Sequence, residues 1–205
     1  AARLCRVAAM PAEFASSFPL RDSRVHEACG PGAPGFAAIC AARRPGEVLW
    51  VVEDWQPESL NPVALSLFFD PARLLLARCR DQTEGLAVAE EALRDGALAL
   101  VVIVLSQPLT LTTGRRLQLA AKAGATTGLC LIPEGMGSNA AETRWHCAPI
   151  FDAEVPPDST LQCWKLIKNK SGTLGAWHVR WDTAARRLHV VSPVAQRPGS
   201  QDVSG

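Results

Sequence analysis

The stretch CGPGAPGFAA, Cys29 to Ala38, places Gly30 and Gly35 at the two glycine positions of the phosphate-binding pattern G-x-x-x-x-G-K-[ST]. Such a loop holds phosphate with main-chain N–H groups, a lysine that reaches the outer phosphates and a hydroxyl that binds magnesium. Phe36 stands here at the lysine position and Ala37 at the hydroxyl position, while Pro31 and Pro34 each remove an N–H donor. The metal-side acid should follow the most apolar strand, VVIVLS, where the chain has Leu105. With these groups missing, no triphosphate site is expected. Gly30, Pro31, Gly32, Gly35, Phe36 and Ala37 form a relic loop, and Leu105 marks a relic acidic position.

The same residues also spell G-x-G-x-x-G at Gly30, Gly32 and Gly35, and Glu53 follows 18 residues after the last glycine. Strand, loop, helix, strand and acid then come in the order of a dinucleotide fold, and a dinucleotide-binding oxidoreductase is the enzymatic alternative. His26 and Glu27 weigh against it, because a strand buried on both faces is normally apolar. A second glycine set, GMGSNA at Gly135–Ala140, follows Pro133 and opens onto an expected antiparallel strand, so a mobile loop is expected there.

No other constellation carries recognisable chemistry. Seven scattered cysteines, none spaced as C-x-x-C, read as reduced core residues, and no histidine stands at ligand spacing. Neither a metal site nor a cofactor is expected. Glu27, Glu53 and Asp54 have no nucleophile or histidine at catalytic spacing, and Ser106 and Ser138 have no nucleophile elbow. Arg43, Arg44, Arg115 and Arg116 read as solvated pairs.

The elements that must position these residues are legible from periodicity. SRVHEACG, VLWVV, ARLLLAR, ALALVVIVL and GLCLI read as buried strands. Between them lie GFAAICAARR, a short helix at Pro62, a helix capped by Asp81 with Glu84 and closed by Gly96, and a helix over Thr113–Ala123. RWHCAP, LQCWKLIKNK, AWHVRWD and RLHVV alternate and read as antiparallel strands. The fold class is therefore α/β, a mostly parallel sheet covered on both faces with an antiparallel C-terminal extension. The expected organisation is an N-terminal segment (1–23), a core (24–143), the extension (144–192) and a disordered tail (193–205).

Charge is segregated along the chain. Residues 1–159 carry 14 Lys/Arg against 18 Asp/Glu, and residues 160–205 carry 7 against 2. Lys165, Lys168, Lys170, Arg180, Arg186 and Arg187 lie among Trp164, Trp177 and Trp181, with Trp145 just upstream. Basic and aromatic residues together could hold single-stranded DNA weakly or meet an acidic partner. The tryptophans read mainly as core, because Trp177, Val179 and Trp181 share one strand face. Loop 133–143 carries Glu134 and Glu142 before its first cation, Arg144, which argues against phosphate contact there. No apolar run reaches spanning length, the first residues lack a signal-type segment, and a cytoplasmic protein without membrane contact is expected. The chain begins without methionine, so a preceding segment stays open.

VHEACGPGAPGFA resembles the start of the RecA ATPase core, EVLWVVED its next strand with an acidic end, and FDPARLLLARCRDQTEGLAVAEEALRDGALALVVIVLS the run to its second nucleotide motif. DPARLLLAR, LTTGRRLQLAAKAGATTGLCLIP, RWHCAP and KLIKNKSGTLGAWHVRWD resemble the ImuA family of bacterial mutagenesis-cassette proteins, over roughly Arg24 to Val191. That resemblance implies a RecA-like fold with a degenerate P-loop and no ATPase. It also implies a non-catalytic role in SOS-induced translesion synthesis, DNA repair and mutagenesis. The implied partners are RecA and an inactive Y-family polymerase relative. A SulA-like inhibitor of cell division, binding FtsZ, is the alternative of a different class.

Overall fold

The computed structural model describes residues 11–56, 60–150 and 160–193. Among them, nine strands form one sheet in the order β3-β2-β4-β5-β1-β6-β7-β8-β9. These are β1 (Val25–Cys29), β2 (Val48–Glu53), β3 (Leu74–Cys79), β4 (Leu100–Val104), β5 (Thr127–Leu131), β6 (Thr143–Pro149), β7 (Gln162–Asn169), β8 (Gly175–Asp182) and β9 (Arg187–Pro193). The first six run parallel and the last three antiparallel. The helices are α1 (Ala12–Ala15), α2 (Ala33–Ala42), α3 (Pro62–Ser66), α4 (Gln82–Asp95) and α5 (Leu111–Ala123).

The side chains of β1, β2, β4 and β5 are buried on both faces, which explains the unbroken apolar runs of β2 and β4. On one face α2 packs with Phe14, Phe18 and the inward tryptophans, and on the other α4 and α5 pack over β1, β2, β4 and β5. The Asp81 carboxylate accepts from the Glu84 N–H at 2.9 Å, starting α4, while the Glu84 carboxylate reaches back to the Arg80 N–H at 2.7 Å. Asn61 caps α3 through the Val63 N–H.

The structure differs from the sequence reading at ARLLLAR, at one edge of RWHCAP and at Pro193. ARLLLAR was expected as a buried strand, but β3 is the sheet edge, with Leu75 and Leu76 43% and 46% exposed. RWHCAP was expected to run antiparallel, and β6 does so against β7, but on its other edge it lies parallel to β1, in register Glu27↔Arg144, Ala28↔Trp145, Cys29↔His146. Its alternating burial reports that one face lacks a helix, and says nothing of strand direction. The N-terminal segment, described from residue 11, contributes Phe14 and Phe18 to the core. Pro193 belongs to β9, while residues 194–205 of the expected tail lie outside the described residues, as does Cys5.

Candidate functional site

The glycine turn leaves β1 at the carboxyl end of the parallel strands, the end at which open α/β sheets bind ligands. Gly30 adopts φ +87, and a Cβ there would lie 2.6 Å from the Cys147 carbonyl oxygen of β6. The Gly32 N–H, a donor that a phosphate cradle would aim at its ligand, donates to that same Cys147 carbonyl at 2.8 Å. The Ala33 N–H turns back to Gly30 O at 3.0 Å, and Gln162 of β7 crowds Gly32 and Gly35. Gln162 is itself held by the Trp164 Nε1–H at 2.8 Å. Pro31 and Pro34 are exposed, and α2 starts without a side-chain cap.

Phe36, at the lysine position, is 0% exposed. Its ring centroid lies 4.7 Å from Trp164, 5.5 Å from Trp145 and 5.9 Å from Phe18. Ala37 is buried beneath it. The turn thus delivers an aromatic anchor into the core, where packing between rings adds to the burial of area. The core reading of Trp145, Trp164, Trp177 and Trp181 holds for all four.

A cleft of about 360 Å³ opens across the ends of β1, β2, β4 and β5. Gly30, Pro34, Trp50, Val104, Leu105 and Pro133 are among its lining, so its wall is mostly hydrocarbon. Leu105 is buried beside it. Nearby, the Glu53 carboxylate accepts from Ser106 Oγ at 2.5 Å and from Trp55 Nε1 at 2.9 Å. Asp54 stands 4.0 Å from Arg78. Glu53 therefore ties the β2 and β4 ends together.

Polar residues inside β1 organise the opposite side of the turn. Glu27, 1% exposed, accepts from Arg144 Nε at 2.7 Å and from the Ser138 N–H at 2.8 Å. Arg144 also donates to Ser138 O, and the Gln118 amide of α5 donates to Val25 O and Ala140 O. Segment 133–142, which contains the stretch Gly135–Ala140 expected as a mobile loop, is therefore fastened from three elements. Glu142 pairs with Arg21 at 3.2 Å and Arg24 at 3.8 Å, and the exposed Glu134 meets His146 Nε2 at 3.0 Å. His26 is buried and satisfied. Its Nε2–H donates to Arg21 O at 2.9 Å, and its Nδ1 accepts from the Thr143 hydroxyl at 2.7 Å. Burial lowers the His26 pKa to about 4.

The six C-terminal cations differ in what they hold and how far they are exposed. Lys170 Nζ donates to Ala140 O at 2.7 Å, and Lys168 Nζ donates to Ala141 O. Both heads thus brace segment 133–142, and burial pushes the Lys168 pKa down. Lys165 is exposed on β7, Arg180 is half-buried on β8, and Arg186 and Arg187 are exposed at the β8–β9 turn. Trp177, Val179 and Trp181 point into the core, so the face carrying Lys165, His178 and Arg180 is the opposite one. Among the arginine pairs, Arg44 is not solvated: it binds Leu20 O at 2.7 Å and Asp22 at 2.8 Å. Arg116 pairs with Glu90 at 2.6 Å.

Sequence reasoning missed Gln162, Thr143 and Gln118. A glutamine inside an apolar helix or strand pattern is the signal that could have flagged two of them, whereas nothing marks Cys147, which acts through its carbonyl. Among the described cysteines five are buried and Cys163 is half-buried, and burial pushes the Cys40 thiol up to about 12. Among the described residues no group of histidine, cysteine and carboxylate side chains is gathered to hold a metal, and no helix is long and apolar enough to cross a membrane.

Over 169 residues, 75% of this chain and 68% of the relative, the chain is 31% identical to Protein ImuA of Caulobacter vibrioides strain NA1000 / CB15N. The same values hold for Protein ImuA of Caulobacter vibrioides strain ATCC 19089 / CIP 103742 / CB 15. No family model matches the chain.

Proposed function

The chain belongs to the ImuA family, and from that premise we propose that it is a non-catalytic accessory factor of SOS-induced mutagenesis. It works in translesion DNA synthesis through protein contacts with RecA and an inactive Y-family polymerase relative, on a RecA-like sheet kept as scaffold. The observation that carries the non-catalytic part is Phe36. Where a phosphate loop needs a mobile cation, this chain has a ring locked among Phe18, Trp145 and Trp164. Phe36 brings no cation to the turn, and the Gly32 N–H is committed to Cys147 O. Phosphoryl transfer depends on positioned cations and donors, so a scaffold role fits these residues better than catalysis.

The test is an affinity pull-down of the tagged chain from DNA-damaged bacteria, read by mass spectrometry, with equilibrium dialysis against ATP beside it. Enrichment of RecA and the polymerase relative, with no saturable ATP binding, is expected. Enrichment of FtsZ alone would replace the reading with a division inhibitor, and saturable ATP binding would end the non-catalytic part.

A further inference from the structure

The sequence of α5, LTTGRRLQLAAKA, has more leucine than its core face uses. Leu117, Ala120 and Ala121 point inward and are buried, yet Leu111 and Leu119 are 45% and 67% exposed. They stand eight residues apart, about 12 Å along the axis, with Arg115 midway between them on the same side. Helix α4 next to it has an ordinary charged surface, where Arg94 pairs with Glu90 and Glu91. The leucines of α5 have no such folding role.

These residues line a groove of about 450 Å³ between α5 and the segment at Asn139 and Ala140, with Lys170 on the far side. The groove is pre-formed. Gln118 and Lys170 both donate to Ala140 O, and Gly114 lets the segment approach so closely that a Cβ there would stand 2.7 Å from the Ala140 Cβ. Its charge has one sign: Arg115 and Lys170 line it, no carboxylate does, and Arg115 makes no ion pair among the described residues.

We propose that this groove is a docking site for an acidic amphipathic segment of a protein partner. The segment lays two apolar side chains against Leu111 and Leu119 and sets a carboxylate between Arg115 and Lys170. Apolar anchors give a helix-in-groove contact its affinity, and the paired charges fix register and exclude basic competitors. Nucleic acid fits less well, because none of the lining side chains is an aromatic platform on which a base could stack. The inference rests on the reading above in one respect, that this chain acts by protein contact.

The experiment uses the full chain, purified RecA and purified polymerase relative, and a synthetic acidic helix with leucines seven and eight apart around glutamates. Leu119→Asp and Arg115→Glu are compared with wild type and with Lys122→Glu, which lies on the same helix outside the groove. Circular dichroism confirms that each variant folds. A loss of about tenfold or more in affinity for one partner, or for the synthetic helix, in both groove variants and not in Lys122→Glu is expected. Carbodiimide coupling should also join Lys170 to an Asp- or Glu-bearing peptide of the partner. If a partner binds wild type and both groove variants alike, the groove is not its site and the inference falls while the functional reading stands. If neither partner binds but the synthetic helix does so groove-dependently, the functional reading falls and the groove stands. If nothing binds, both fall. Groove-dependent binding of an oligothymidine in place of the peptides would overturn the acidic-protein assignment in favour of nucleic acid.

Discussion

The Gly32 N–H and the Cys147 carbonyl are joined at 2.8 Å, so the turn that leaves β1 is sewn to the neighbouring strand β6. The contact occupies a donor that a ligand-binding loop would keep open, and it requires the backbone of β6 to pass where a side chain on Gly30 would stand. The turn is a joint between strands.

Gly30→Ala is expected to cost about 3 kcal/mol, from left-handed strain together with a main-chain collision. Gly135→Ala is the control, because Gly135 also has positive φ (+81) but nothing within 4 Å of its added Cβ. That substitution should cost about 1 kcal/mol. Urea unfolding of both variants checks this, and equal costs would show that the approach of Cys147 is unimportant.

Phe36→Ala should destabilise by about 3–5 kcal/mol, because the cluster around the ring cannot collapse fully. Phe36→Lys should be worse, since it buries a cation among rings with no carboxylate to meet it. Thermal unfolding followed by tryptophan fluorescence would rank them, and a lysine variant as stable as wild type would mean the lysine finds a way out of the core.

Glu27→Gln should cost about 3–5 kcal/mol, because it leaves Arg144 half-buried without its charge partner. Exchange of the Ser138 and Ala140 amides should accelerate, since the carboxylate that receives the Ser138 N–H is gone. Pairing Glu27→Gln with Arg144→Met should recover part of the loss. Hydrogen exchange and a double-mutant cycle measure both effects.

Stability should fall as pH falls from about 6.5 towards 4. The His26 pKa is lowered to about 4 in the folded chain, chiefly by burial, with the hydrogen bond to the Arg21 backbone and the charge of Asp22 opposing it and the charges of Arg44 and Arg21 adding to it. In that window the unfolded chain binds a proton that the native chain refuses, so unfolding is favoured by acid. The full contribution is on the order of 3 kcal/mol. His26→Gln should flatten this part of the pH profile in denaturant titrations, and an unchanged slope would assign it to other groups.

The parallel half of the sheet was legible because its strands are covered on both faces and their apolar runs are unbroken. β3 shares that run, Leu74 to Leu76, and is nevertheless an edge, since residue type reports affinity for burial and not which strands arrive to provide it. β6 was legible only in part: its alternation was read as antiparallel pairing, which it has with β7, while its parallel edge against β1 left no mark in the pattern. His26 and Glu27 looked wrong for a central strand because their partners, Thr143 and Arg144, lie more than a hundred residues away. At the site, the missing lysine, hydroxyl and acid could be read directly. The destination of Phe36 could not, because it depends on Trp145 and Trp164, which reach it only through the sheet order.

That sheet order also sets a schedule for synthesis. β1 is flanked by β5 and β6, which leave the ribosome roughly a hundred residues after it. Until Thr127–Leu131 has emerged, the nascent chain carries a strand with both edges unpaired, and until Trp145 and Trp164 follow, Phe36 has Phe18 but neither of its tryptophan partners. Contacts so distant in sequence are slow to form, and the waiting intermediate exposes apolar surface. A ribosome stalled upstream of β6 would therefore hold a chain that needs a chaperone, and the early part of this molecule matures only when its late part arrives.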